Sequence, residues 1–137
     1  VKVLPIRVSN QDNGGAYISS LTNCIEYAAD HGAKVVNFSY DTGDSSAIDT
    51  AAKYLRSKNG LLIVASGNSG YDISANSDFT SYILVGATDQ NDVMPYWSNY
   101  GTPVDMVAPG LDIFSSTMDA YYVYASGTSL AAPIVSG

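Results

Sequence analysis

Two periods of hydrophobic residues run through the chain, one typical of helices and one typical of buried strands. Apolar side chains recur every three or four positions from about residue 18 to 30, which predicts a helix, and a second helix is predicted from its capping residues at 44–46 to about residue 58. Continuous apolar runs at residues 61–65 and 82–87 predict strands that helices cover on both faces. Shorter or more mixed runs predict further strands at residues 1–7, 34–39, 104–107 and 121–124.

The predicted helices and strands alternate along the chain, and short connections join them. Strand, helix and strand in this order imply right-handed crossovers and a parallel sheet, so the pattern predicts an α/β fold. The chain has 137 residues, of which 46% are hydrophobic and 14% charged. This composition fits one folded domain and argues against a disordered segment.

Charge and hydropathy exclude several classes of partner. The formal net charge is −7 and the six basic residues form no cluster, so neither nucleic acid nor an anionic membrane surface is an expected partner. No apolar stretch approaches the roughly 20 residues of a membrane-spanning helix. The single cysteine, Cys24, rules out an internal disulfide and a multi-cysteine zinc site, and we interpret it as a small buried side chain.

Candidate chemistry is concentrated in two segments rich in glycine and hydroxyl groups, ASGNSG at residues 65–70 and SGTSLAAP at residues 126–133. The phosphate-binding patterns GxGxxG and GxxxxGK(S/T) and the nucleophile elbow GxSxG do not occur. Ser129 is predicted at the first turn of a helix, where free N–H groups favour developing negative charge, and Pro133 is expected in the same turn. From the residues alone, Ser129 is either an activated nucleophile or an ordinary helix N-cap, a role that Thr128 could also take.

The run GTSLAAP at residues 127–133 resembles the active-serine signature of the subtilisin-like serine proteases, the subtilases. Further segments resemble this family in the same order along the chain: VKVL at 1–4, VVNFS at 35–39, VASGN at 64–68, VGATD at 85–89, WSNYG at 97–101 and VAPG at 107–110. The resemblance extends over essentially the whole chain. It implies a three-layer α/β/α, subtilisin-like fold with a mostly parallel sheet, in which residues 1–137 are part of a catalytic domain truncated at both ends.

The resemblance gives two residues a catalytic role. Ser129 corresponds to the nucleophile that attacks the scissile carbonyl. Asn68 corresponds to the asparagine whose amide donates to the oxyanion alongside the backbone N–H of Ser129, and such donors stabilise charge that appears only in the transition state. Without the resemblance, Asn68 would be interpreted as a turn residue that follows a glycine.

In this family an extended polypeptide substrate pairs with main chain on either side of a specificity pocket. The resemblance implies that the substrate-binding residues are Ser39, Tyr40 and Asp41 on one strand, Ala65, Ser66 and Gly67 on the opposite wall, and Gly127 and Thr128 beside the nucleophile. Asp41 departs from the family, which usually has small or apolar residues followed by glycine at this place. Its carboxylate is either solvated in a loop or favours a basic substrate side chain near the cleavage site.

The catalytic base and its orienting carboxylate are not among the matched segments. Subtilases carry the Asp, the His, the oxyanion Asn and the Ser in this order, and the Asp and the His precede the region that this chain matches. The only histidine, His31, is predicted at the end of the first helix, where the dipole favours a cation, and it is not assigned to catalysis. The chain by itself is therefore expected to be inactive.

Two functions are considered. The favoured one is a serine endopeptidase that forms an acyl-enzyme on Ser129, and the alternative is a non-catalytic, subtilase-like module that binds peptides. No cofactor or metal-ligand set is expected in this chain, and calcium is an expectation only for the full-length parent. That parent is expected to be a monomer. Members of this family are typically extracellular, so the resemblance predicts an extracellular location. Because the family also has intracellular members, an intracellular location is the alternative.

Overall fold

The computed structural model describes residues 2–117 and 120–137. The elements in this part of the chain are α1 (Ile18–Asp30), β1 (Val35–Asp41), α2 (Ser46–Ser57), β2 (Leu61–Ala65), β3 (Tyr82–Thr88), β4 (Met106–Pro109), β5 (Ile113–Ser116), β6 (Tyr122–Ala125) and α3 (Thr128–Ser136). The predicted helices and the predicted strands from residue 34 onward are thus present, with ends shifted by at most two residues.

Strands β1 to β4 form one parallel sheet in the order β1-β2-β3-β4. Side chains alternate across β2, so Leu62 and Val64 face the core that α1 and α2 cover, whereas Ile63 and Ala65 face the core that α3 covers. The sheet therefore lies between two helical layers, and the α/β prediction and its three-layer arrangement are confirmed.

The helices bury one face each, and α2 begins at a residue whose side chain caps the helix. In α2 the Ser45 hydroxyl accepts a hydrogen bond from the N–H of Ile48, and in α1 the side chain of Ile25 is completely buried. Gly60 closes the turn after α2, because a Cβ there would lie 2.4 Å from Leu55 Cδ1. Burial of a side chain such as Ile25 or Leu55 contributes about 1.5–3 kcal/mol to stability.

Two predictions of secondary structure are wrong. Residues 2–7 of the predicted first strand pair with no strand among the described residues, and Val3 is 84% exposed, while Val1 lies outside those residues. A strand needs a partner, and β1, which forms one edge of the sheet, is paired on one side only, by β2. Pro133 is the sixth residue of α3, beyond the first turn.

The strand β5 was not predicted from the sequence. It pairs antiparallel with β6 in a separate two-stranded sheet, and the side chains of both strands are largely exposed. Phe114 packs on Tyr122 and Tyr124 with ring centroids 5.4 and 5.2 Å apart. The second sheet leads through residues 125–127 into α3.

Candidate active site

Ser129 is the second residue of α3, and the start of this helix lies at the carboxyl ends of β1 and β2. The Ser129 hydroxyl donates to the carbonyl oxygen of Ser39 in β1 at 3.1 Å. Asn68 follows the end of β2 by three residues and contacts Thr128, the first residue of α3. The structure thus brings together three separate segments at the edge of the sheet where parallel α/β proteins bind ligands.

An irregularity in β1 exposes the Ser39 carbonyl to Ser129. The parallel register with β2 runs regularly to Phe38 and resumes only at Asp41, so Ser39 and Tyr40 are unpaired with β2. Such bulges redirect backbone groups and occur next to active sites. Here the bulge frees the Ser39 carbonyl from the sheet, so that it can accept from the Ser129 hydroxyl.

The amide of Asn68 has a defined orientation. Its Oδ1 accepts from the N–H of Thr128 at 2.8 Å and from the Thr128 hydroxyl at 2.9 Å. Its Nδ2 has no hydrogen-bond acceptor among the described residues and points toward Gly127, since a Cβ built on Gly127 would lie 3.4 Å from it. Two bonds to the oxygen therefore leave the NH₂ group of Asn68 free to donate.

The backbone N–H of Ser129 converges on the same place. Ser129 N lies 3.7 Å from a Cβ built on Gly127, and in the described part of the chain this N–H has no acceptor because it belongs to the first turn of α3. Gly127, which lacks a Cβ, leaves an open space that faces two unused donors and the positive end of the helix dipole. This arrangement can hold an oxygen atom that gains negative charge.

A buried side chain, Asn99, holds the loop that carries Asn68. Asn99 Oδ1 accepts from two backbone N–H groups of this loop, and its Nδ2 and its own N–H donate to two of the loop's carbonyls. The partners are Ser69 at 3.1 Å, Tyr71 at 3.0 Å, Ser66 at 2.8 Å and Gly67 at 3.0 Å. Asn99 lies in the family-like segment WSNYG, but no local pattern predicts its role, because its partners lie about 30 residues earlier in the chain.

A cavity of about 450 Å³ opens beside the same loop. Its lining includes Asp41, Thr42, Ala65, Ser66 and Asp72. Ala65 and Ser66 thus line the cavity and Gly67 does not, while Thr128 and Asn99 hold the backbone of Gly67 and Ser66.

Of the eight expected substrate-binding residues, Asp41, Ala65 and Ser66 line the cavity, whereas Ser39, Tyr40, Gly67, Gly127 and Thr128 do not. The hydroxyl of Tyr40 donates to the carbonyl of Gly14 at 2.8 Å, and its ring packs against Phe38. Its side chain is not among the residues that line the cavity. The side chain of Tyr40 is therefore engaged away from the cavity.

The single histidine and the single cysteine lie outside this cleft. The His31 ring stacks on Tyr27, and its Nδ1 is 2.8 Å from the carbonyl oxygen of Tyr27, at the carboxyl end of α1. Cys24 is a half-buried residue of α1, and burial raises the pKa of its thiol, which disfavours the reactive thiolate. Neither residue supplies a base to Ser129.

In residues 2–117 and 120–137, no three His, Cys, Asp or Glu side chains are grouped so that they could share a metal ion. No helix in the same ranges has both the length and the apolar character needed to cross a membrane.

Comparisons with known proteins give one consistent result. The Peptidase S8 family model, which describes the subtilase family, matches residues 1–137. A thermophilic serine proteinase from Bacillus sp. (strain AK1) is 38% identical over 99% of this chain and 34% of its own length, and thermitase from Thermoactinomyces vulgaris is 37% identical over 98% and 49%. The crystal structure of a cold-adapted subtilisin-like serine proteinase superposes with a TM-score of 0.82 at 34% identity, over 90% of this chain and 47% of that one. The chain thus spans half or less of the length of these relatives.

Proposed function

Because this chain belongs to the subtilase family, we propose that the protein it forms, alone or as a part, is a serine endopeptidase acting through an acyl-enzyme on Ser129. One observation supports this proposal: a Cβ built on Gly127 would lie 3.4 Å from Asn68 Nδ2 and 3.7 Å from both Asn68 Oδ1 and Ser129 N, and neither nitrogen has a hydrogen-bond acceptor among the described residues. A helix N-cap needs no such second donor.

The first chemical step is attack by Ser129 Oγ on the scissile carbonyl carbon of a polypeptide. The carbonyl oxygen gains negative charge and accepts hydrogen bonds from Asn68 Nδ2 and Ser129 N, both oriented before the substrate arrives. The hydroxyl proton passes to a base and then to the leaving amine, which departs as the acyl-enzyme forms. Water then attacks the ester, with the same oxyanion donors, and releases the second product.

In this proposal the catalytic base that accepts the Ser129 proton is supplied by a part of the complete protein outside these 137 residues. The only histidine, His31, is engaged with Tyr27, and Ser129 donates to a carbonyl oxygen, which is too weak a base to activate it. We infer that a His and an orienting Asp come from a segment that precedes Val1 in the complete protein, and that the 137 residues alone are inactive. The complete enzyme is proposed to be a monomeric, extracellular protease.

The experiment compares this chain with the full-length product of the gene that encodes it. Both are treated with a fluorophosphonate probe, the labelled residue is located by mass spectrometry, and hydrolysis of casein is measured. We expect that only the full-length product is labelled at Ser129 and that only it cleaves casein. The variant Ser129→Ala of the full-length product should lose both the labelling and the cleavage. A full-length product that binds peptides without labelling or cleavage would establish the alternative, a non-catalytic peptide-binding module.

The variant Asn68→Asp tests the oxyanion role separately. An aspartate keeps an acceptor oxygen for Thr128 but removes the NH₂ donor, so the fold is expected to be retained. In the full-length protein we expect kcat to fall by about 10²–10³-fold, the cost of losing such a donor in subtilisin, with KM nearly unchanged. An unchanged kcat would remove Asn68 from the mechanism.

A further inference from the structure

We propose that the cavity beside the Asn68 loop binds a lysine or arginine side chain of the substrate, and that Asp41 selects it. This inference rests on the proposed peptidase function, because it identifies which polypeptides the site would cut. The cavity contacts Ala65 and Ser66, and the loop that continues from them carries Asn68. A substrate side chain in the cavity would therefore belong to a residue next to the scissile bond.

The Asp41 carboxylate is held in one orientation and keeps one oxygen available. Its Oδ1 accepts from the N–H of Gly43 at 2.9 Å, while its Oδ2 has no hydrogen-bond donor among residues 2–117 and 120–137. Gly67 provides the space for this side chain, since a Cβ there would lie only 2.4 Å from Asp41 Oδ2. Asp41 Oδ2, a carboxylate oxygen, thus lies next to Gly67, the residue that precedes Asn68.

The one other charged residue that the described part of the chain contributes to the lining of the cavity is also acidic. Asp72 is a second carboxylate of the lining, and hydrogen bonds from Ser74 hold the pKa of Asp72 below its usual range, so it is ionised at neutral pH. Among the described residues, no Lys, Arg or His lines the cavity.

The shape of the cavity also fits a long basic side chain. Tyr71, Ile73 and Leu84 give the cavity apolar surface, against which the methylene stem of lysine or arginine can pack while its charged end reaches a carboxylate. A large apolar side chain would instead cover the Asp41 carboxylate without a counter-charge, which is costly. An acidic side chain would be repelled.

The test uses pairs of peptides that differ only in charge. Two substrates carry either arginine or its neutral isostere citrulline before the scissile bond, and kcat/KM is measured with the full-length product at low and at high salt. We expect the arginine substrate to be preferred by about tenfold at low salt, and the preference to shrink as salt screens the pair. Asp41→Asn should abolish the preference, and Asp12→Asn, the same charge change at an exposed turn away from the cavity, should retain it.

A binding measurement separates failure of this inference from failure of the proposed function. The 137-residue chain is titrated with N-acetyl-arginine amide and with the citrulline analogue, and backbone NMR shifts of Asp41, Thr42 and Ile73 are followed. Shifts for arginine alone, lost in Asp41→Asn, would support the charge preference even if no peptide is cleaved. Cleavage of both substrates at equal rates, or equal binding of both amides, would overturn it and leave the peptidase proposal intact.

Discussion

Ser129 and Ser39 exchange two hydrogen bonds. The Ser129 hydroxyl donates to the Ser39 carbonyl at 3.1 Å, and the Ser39 hydroxyl donates to the Ser129 carbonyl at 2.8 Å. In a regular helix the Ser129 carbonyl would accept from the N–H of residue 133, but Pro133 has none. The Ser39 side chain supplies the missing donor and ties the first turn of α3 to β1.

Replacing Ser39 by alanine tests whether the hydrogen bond from the Ser39 hydroxyl to the Ser129 carbonyl positions the nucleophile. Ser39→Ala keeps the backbone carbonyl but leaves the Ser129 carbonyl without its donor, so we expect a loss of about 1 kcal/mol in unfolding free energy, measured with urea. In the full-length protein we expect kcat to fall severalfold with KM nearly unchanged. Ser39→Thr, which restores a hydroxyl, should recover kcat. A rise in KM alone would assign Ser39 to substrate binding instead.

Two glycines near Asn68 are predicted to respond differently to alanine. At Gly127 a Cβ would find 3.4 Å to its nearest neighbour, so Gly127→Ala meets no clash, although the backbone φ of 159° is one that residues with a Cβ rarely adopt and adds some strain. The new methyl group would occupy the open space between the two donors and lower kcat strongly. We expect full-length Gly127→Ala to fold with a moderately lowered melting temperature and to have little activity.

Gly67 provides the contrasting case. Its φ of +102° is unfavourable for alanine, and a Cβ would lie 2.4 Å from both Asp41 Oδ2 and Asn99 Nδ2. Gly67→Ala should therefore destabilise the chain by about 1–3 kcal/mol or more. If Gly127→Ala proves as unstable as Gly67→Ala, the space at Gly127 has been interpreted wrongly.

The buried Asn99 is predicted to stabilise the loop that presents Asn68. Asn99→Ala removes three side-chain hydrogen bonds to the loop, each with a net value of about 1 kcal/mol. Amide hydrogen exchange should accelerate most at Ser69 and Tyr71, whose N–H groups lose their acceptor. Asn99→Asp keeps this acceptor and should protect those two amides better. Uniform acceleration across the whole chain would instead indicate global unfolding.

Asp49 is predicted to make the stability of the chain sensitive to acid. Burial raises the pKa of this carboxyl, but hydrogen bonds from Lys53 and Ser81 and the charge of Lys53 outweigh it, so the pKa lies below the usual 3.8. The stabilisation is therefore complete above the unfolded-state pKa and is lost as pH falls through the lower, folded-state value.

The variant Asp49→Asn measures this contribution. We expect it to lose about 1–3 kcal/mol of unfolding free energy at pH 7, because Ser81 and Lys53 lose a charged acceptor, and to depend less on pH below about 4. Urea unfolding at pH 7 and pH 3 compares it with Asp12→Asn, a carboxylate in an exposed turn. Equal acid sensitivity of the two variants would contradict the assignment.

Much of the fold follows from local patterns in the sequence. Apolar patterns and capping residues predicted the helices and the four strands of the parallel sheet, because both signals lie within one short segment of chain. The same logic failed for residues 2–7, whose apolar residues suggest a strand but which have no strand partner in the described structure. It also missed β5, whose side chains are largely exposed and carry little periodic signal.

The sequence by itself determined the family, the α/β class and the candidate residues Ser129 and Asn68, because these depend on short motifs and their order. Only the tertiary structure decided how they meet. The orientation of the Asn68 amide depends on Thr128, 60 residues away, and the Ser129 carbonyl depends on Ser39, 90 residues away. Contacts across such distances are set by the packing of α3 against the sheet, and no local pattern encodes them.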